Sequence, residues 1–377
     1  MTMPKPTTKP IPTLNPEGQV LAAVQGTVGV LTLNRAAALN ALSLDMVRDL
    51  STVLRHWQAD EAVHAVLLQG AGRPGKAPAF CAGGDIRMFH QAALAGDARL
   101  GDFFTEEYAL NHLIHKLGKA RIVLMDGVCM GGGMGLAQGC TVRVVTEHSK
   151  LAMPETLIGL FPDVGGGWFL SRCPGHVGEY LGLTGQVMGA ADAMAFGLAD
   201  VHLPAERLPA LLEALGDAAS VTHAAQAVAT VRAGATDPGL SPLAAERLAI
   251  DEHFAHDTVA EIVASLATDD SPFAQASLAA LRLRSPLMLS VTLRQIRQAR
   301  AMSLADDLRM ERDLVQHCFE RRSGLPSDTV EGVRALVIDK DHAPRWNPPT
   351  LDAVSADEIE QFFTSPWDAA AHPLRDL

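Results

Sequence analysis

The stretch DGVCMGGGMGLAQGC at residues 126–140, continued by TVRVVTEHSKLAM at 141–153 and PETLIGLFPDVGGGW at 154–168, places two glycine clusters around a strand-like run and two carboxylates in apolar surroundings. The triple glycine Gly131–Gly133 comes just after the apolar run Ile122–Met125 and just before Met134–Gln138, the pattern of a tight turn that opens a helix. Only glycine lets backbone come so close to a ligand. The first N–H groups of such a helix lack internal partners and sit at the positive end of its dipole, so the turn suits an oxyanion. Glu155 and Asp163 then require an explanation.

Working outward, QVLAAVQ and VGVLTLN within residues 19–34 read as two short strands turning at Gly26 and Gly29. Ser43 stands as an N-cap before Met46, Leu50, Val53, Leu54 and Trp57, which recur at helical spacing. His64–Gln69 is a buried strand in this reading, and strand, helix, strand in that order predicts a parallel pairing with a crossover. The long loop GAGRPGKAPAFCAGGDIR follows, where α/β folds place chemistry, and Gly83 and Gly84 before Asp85 offer a second exposed N–H. Residues 102–117 predict a helix. Beyond Gly167 come two short helices parted at Thr184–Gly185, then a strand-like ADVHL. From Pro204 the chain turns Ala-rich and helical; Ser285-Pro286 opens one helix, and Ser303 with Asp306 caps another.

The 377 residues are 48% hydrophobic and 20% charged, the composition of an ordinary globular protein with one large or two moderate cores. A formal net charge of −12 argues against nucleic acid and anionic membranes as partners. No run reaches the roughly 18 uninterrupted apolar residues of a membrane span. The Pro-rich PKPTTKPIPTLNPEG lacks the marks of a secretory or transit peptide, so residues 1–17 are read as a disordered tail and the protein as cytoplasmic. Five scattered cysteines give neither a disulfide framework nor a zinc site, and Cys81 is read as a buried thiol. His112 with His115, and His253 with His256, lack a third ligand; no metal is expected.

Glycine loops with nearby carboxylates suit a reaction through an enolate or a tetrahedral oxyanion. A dinucleotide site fails on spacing, because Leu136 stands where GxGxxG needs its third glycine. GxxxxGK[ST] and GxSxG are also absent.

LTLNRAAALNALS, FCAGGDIR, EEYALN, MGGGMGL, AMPETLIGLFPDVGGGWFLSR and EGVRALVIDKD with PRWNPP together resemble the crotonase, or enoyl-CoA hydratase/isomerase, superfamily. The likeness to the superfamily runs over roughly residues 18–205, and over nearly the whole chain the sequence is similar to the 3-hydroxyisobutyryl-CoA hydrolase branch. The resemblance implies an α/β fold, a spiral of ββα units over 18–205 followed by a C-terminal helical region over 206–377. It implies an oxyanion hole from the N–H groups of Gly84 and Gly132, with Glu155 as catalytic glutamate, Asp163 as the second acid of the hydrolases, and Glu107 lining the substrate site. Backbone around Asn40 to Leu42 and at Ala82 is expected to meet the adenine and pantetheine of coenzyme A, and Asp85 is counted among the substrate-binding residues. Arg35, Lys76, Arg87, Lys340 and Arg345 are candidate cations for its phosphates, Lys340 foremost. Coenzyme A enters as part of the substrate, so no separate cofactor is implied.

Gly135 departs from the hydratases, which carry a second glutamate there. Syn-hydration needs two carboxylates sharing one water, so the resemblance points to hydrolysis of a short branched 3-hydroxyacyl-CoA, as in valine breakdown. The alternatives are an isomerase or weak hydratase and a non-catalytic acyl-CoA-binding protein. Attack by Glu155 to give an anhydride and general-base activation of water both remain open, as does homo-oligomer formation.

Overall fold

The computed structural model describes residues 9–320 and 327–377. The chain forms two compact units, each assembled from separated stretches. The first comprises residues up to 84, 110–151 and 188–240, and the second residues 85–109, 152–187 and 241–377.

In the first unit, β1 (Val20–Gln25), β2 (Val28–Leu33), β3 (Ala65–Gly70), β5 (Ala120–Met125), β7 (Val142–Val145) and β9 (Val201–His202) form one sheet in the order β1-β2-β3-β5-β7-β9. β1 and β2 make an antiparallel hairpin, and the remaining neighbours pair in parallel, with Val28 opposite Ala65 and Ile122 opposite Val142. Alternate residues Val28, Val30, Ala65, Leu67, Ile122, Leu124, Val142, Val144 and Val201 pack on Leu211, Leu215, Ala227 and Val231 of two helices. On the opposite face Trp57 of α1 (Leu44–Gln58) lies against Gly29, where a β-carbon would come within 2.5 Å of its ring. Both faces being covered, the strands read as continuous apolar runs.

A second sheet holds β4 (Ala79–Cys81), β6 (Val128–Met130) and β8 (Lys150–Ala152). Along the chain β3 is followed by β4, β5 by β6 and β7 by β8, so three strands of the large sheet each hand over to one of the small sheet. Helices α2 (Ile86–Ala95) and α3 (Arg99–Lys116), then α4 (Gly132–Gln138), then α5 (Gly166–Leu170), follow these pairs in turn. This repetition is the expected series of ββα units, and helices dominate from residue 205 onward.

Two readings are amended. The division at residue 205 marks where the strands end rather than where packing changes, because the helices Leu208–Gly216 and Ala224–Ala233 close the large sheet of the first unit. Of the expected tail 1–17, residues 1–8 lie outside the described residues. From Lys9 the chain is held: the N–H groups of Lys9 and Asn15 donate to Asp60 (2.9 Å) and Asp49 (3.1 Å).

Candidate active site

In the first unit the two glycine loops lie side by side. Gly131 takes a positive φ of 49° and caps α4, and Gly133 sits so close to β4 that a β-carbon would meet the Cys81 carbonyl at 2.4 Å. Gly83, at φ +104°, faces the same turn: a β-carbon there would lie 3.5 Å from the Gly132 nitrogen. A side chain at Gly133 would part the two backbones, and one at Gly83 would be strained by its positive φ. Among the described residues, neither the Gly84 nor the Gly132 N–H enters a turn, loop or cap hydrogen bond. Gly132 opens a helix whose first donors have no internal acceptor.

Asn40 organises the approach to this loop. Fully buried at φ +57°, it accepts from the Arg35 N–H (3.0 Å) and donates to the carbonyls of Ala71 (3.1 Å) and Ala79 (2.9 Å). The N–H of Leu42 donates to Gly83 (2.8 Å) and that of Ala82 to Leu39 (3.0 Å). The Asn40 side chain and the Leu42 and Ala82 N–H groups therefore hold the loop itself. Arg35 donates to the Ala41 carbonyl (3.1 Å), while Lys76 is exposed. Also in this unit, Asn111 buries an amide whose two polar atoms have no partner among the described residues.

The second unit carries the acids. Glu107 lies on α3, Glu155 opens a 3-10 helix over Glu155–Ile158, and Asp163 begins the turn into α5; all three are buried. Burial raises the Glu155 carboxyl well above the usual carboxylate range, and the charge of Asp163 adds to it. Glu107 is raised likewise by burial, then by Asp163 and Glu155. Asp163 is pushed up only to about 6, because the Tyr108 hydroxyl donates to its Oδ2 at 2.8 Å and offsets part of the burial. Glu107 Oε1 and Glu155 Oε2 are buried with no partner among the described residues. Three acids so close in low dielectric cannot all ionise.

The glycines of DVGGG serve the protein itself. Glu311 accepts from the N–H groups of Gly165 (2.7 Å) and Gly167 (3.0 Å), and Asp307 from that of Trp168 (3.0 Å). The stretch 329–341 braces the 3-10 helix that Glu155 opens: a β-carbon on Gly332 would lie 2.4 Å from Ile158, and the Thr329 hydroxyl donates to the Gly159 carbonyl (2.6 Å). Arg334 then bridges Glu331 (2.8 Å), Asp339 (2.6 Å) and Asp341 (2.7 Å). Lys340 stands exposed between those aspartates, and Arg87 and Arg345 are exposed. Asp85 caps α2, accepting from the Met88 N–H at 3.3 Å.

Sequence reading named Glu107, Glu155 and Asp163, which the fold gathers, but not Tyr108, Asp307 or Glu311. Tyr108 stood in EEYALN beside Glu107. Asp307 and Glu311 share a helical face with Leu304, Leu308 and Val315, and two acids on an apolar face were the available signal.

Paired strands alternating between two parallel-rich sheets, with a glycine turn opening a short helix, define the crotonase class of acyl-CoA enzymes. The sequence matches the enoyl-CoA hydratase/isomerase family over residues 28–363, and the chain belongs to that family. It is 41% identical over 355 residues to a mitochondrial 3-hydroxyisobutyryl-CoA hydrolase of Xenopus tropicalis, covering 93% of this chain and 89% of the relative. The protein of that name from Homo sapiens is 38% identical over 353 residues, covering 92% and 89%. Among solved structures, a carnitinyl-CoA dehydratase from Mycobacterium thermoresistibile superposes with TM-score 0.86 at 39% identity, covering 95% of this chain and 99% of that one. An enoyl-CoA hydratase from Rhodobacter sphaeroides gives 0.83 at 37%, covering 93% and 98%. Among the described residues no helix is long and apolar enough to cross a membrane.

Proposed function

We propose that the protein hydrolyses the thioester of a short branched 3-hydroxyacyl-CoA, 3-hydroxyisobutyryl-CoA being the substrate that suits its relatives. The observation that carries this reading is the buried, electrostatically coupled pair Glu155 and Asp163, in a chain that has Gly135 where a hydratase needs its second glutamate. The N–H groups of Gly84 and Gly132 take the thioester oxygen as it gains charge, each contributing about 3 kcal/mol to the transition state. The pair shares a proton at neutral pH. One carboxylate is thus ready to attack the carbonyl or take a proton from water, and its partner to give a proton to the departing sulfur. Asp163 is the more readily ionised of the two, so Glu155 takes the first role in this reading once the proton it holds has passed to Asp163, which orients water or the 3-hydroxyl or supplies that proton to the sulfur. Lys340, Arg87 and Arg345, exposed and cationic, are available to coenzyme A phosphates.

The names of the two solved relatives favour a second reading, hydration or dehydration of an enoyl-CoA. A carboxylate missing at residue 135 speaks against it. Glu155→Gln separates activity from binding: release of free coenzyme A is expected to fall by at least about a thousandfold while the variant still binds the thioester. Turnover retained by that variant would move the chemistry elsewhere.

A further inference from the structure

We propose that Tyr108 and Glu311 are positioning residues that hold Asp163 from its two ends, the first through its carboxylate and the second through the loop that carries it. This rests on the reading of Asp163 as a reacting acid. Directly after it, Val164 and Gly165 both adopt left-handed backbone, at φ 59° and 85°. A β-branched residue is strained there, so the conformation persists only where its surroundings impose it.

The helix Leu304–Phe319 imposes it. Glu311 takes the Gly165 and Gly167 N–H groups on its two oxygens, at 2.7 and 3.0 Å. Gln295, on the helix Pro286–Ala299, donates to the Pro162 carbonyl (2.7 Å) and to Glu311 (3.0 Å), so the residue before Asp163 is tied to the same carboxylate as the residues after it. The Gly166 N–H closes the turn on the carbonyl of Asp163 itself (2.8 Å). A side chain at Gly167 would displace the acid beside it, since a β-carbon would lie 2.4 Å from Asp307 Oδ1.

At the other end the Tyr108 hydroxyl occupies one Asp163 oxygen at 2.8 Å. Burial and the surrounding acids keep this phenol protonated, so it only donates, which favours the ionised carboxylate. The titratable groups facing Asp163 are Tyr108 and Glu107 from α3, Glu155 from the 3-10 helix, and Glu311. Tyr108 is the donor among them. Capping a five-residue helix needs far less than two fully buried acids, and the arrangement makes physical sense if the position of Asp163 matters.

Tyr108→Phe, Glu311→Gln and the reference Asp163→Asn test this on the full chain, with circular dichroism establishing the fold. Two quantities are read: kcat and KM for coenzyme A release from 3-hydroxyisobutyryl-CoA, and the infrared titration of the Asp163 carboxyl, assigned by its loss in Asp163→Asn. Tyr108→Phe is expected to lower kcat about tenfold or more with KM nearly unchanged, and to move that titration above its wild-type value of about 6. Glu311→Gln, which sets an amide NH2 against a backbone N–H, should lower kcat comparably; if it does not fold, Tyr108→Phe decides. Wild-type kcat and titration in Tyr108→Phe would overturn the proposal, as would wild-type kcat in Asp163→Asn. If the wild type releases no coenzyme A yet Tyr108→Phe shifts the titration, the hydrolase reading fails and the positioning of Asp163 stands.

Discussion

Asp163 and Glu155 are both raised above the ordinary carboxylate range, yet by different amounts, since only Asp163 has a phenol donating to it. Below about pH 6 both acids are protonated and no base remains; as pH rises through about 6 the first proton leaves and kcat/KM should rise with it. At higher pH the second proton is lost, the donor disappears, and activity should fall. A bell-shaped profile with its acid limb near 6 is the expected outcome, and undiminished kcat/KM well below that limb would contradict it. Stability follows with the opposite sense. The folded protein holds these protons above the pKa of the unfolded chain, so as pH rises from the unfolded values through the folded ones, stability is lost. Glu155→Gln removes that burden and should melt at a higher temperature than the wild type at neutral pH while losing turnover. A lower melting temperature would show that the Glu155 carboxyl supports the fold instead.

The glycine turn works as an element because α4 rests on β4 with no side chain between them. Gly133→Ala places its β-carbon 2.4 Å from the Cys81 carbonyl, which should cost roughly 1–3 kcal/mol in chemical denaturation. Asn40→Ala deletes three hydrogen bonds, one buried and two part-buried, that join the Arg35 turn to the end of β3 and to β4, an expected loss of roughly 2–4 kcal/mol by the same measurement. Unchanged unfolding free energies would refute these packing arguments. Elements with a cap and a clear period were legible beforehand: α1 behind Ser43, and the helix Pro286–Ala299 behind Ser285. β4 and α2 were not, because both lie in or just after a loop whose glycines and prolines mask three strand residues and a cap at Asp85. The run 141–153 read as one strand and is two, parted at the turn where the Ser149 hydroxyl donates to the Met125 carbonyl (2.7 Å).

Across the molecule, what could be read from sequence was local chemistry: Gly83–Gly84, Gly131–Gly133, Glu155 and Asp163 stand in short motifs whose neighbours define them. The partners of those groups could not be read, since Glu311 lies 146 residues from Gly165 and only the fold brings them together. Asp85 and Asn40 show the converse, polar residues in telling loops whose side chains turn out to hold the backbone. The same distinction bears on function. Membership of the enoyl-CoA hydratase/isomerase family establishes an acyl-CoA enzyme, and the choice between cleaving a thioester and hydrating a double bond falls on Gly135 and the Glu155–Asp163 pair. Mixing the full chain with 3-hydroxyisobutyryl-CoA in the presence of a thiol reagent, beside a parallel sample given an enoyl-CoA and followed by the absorbance of its double bond, tests that choice most directly. Free thiol from the first and little change in the second is the expected result; loss of the double bond without free thiol from either would contradict it.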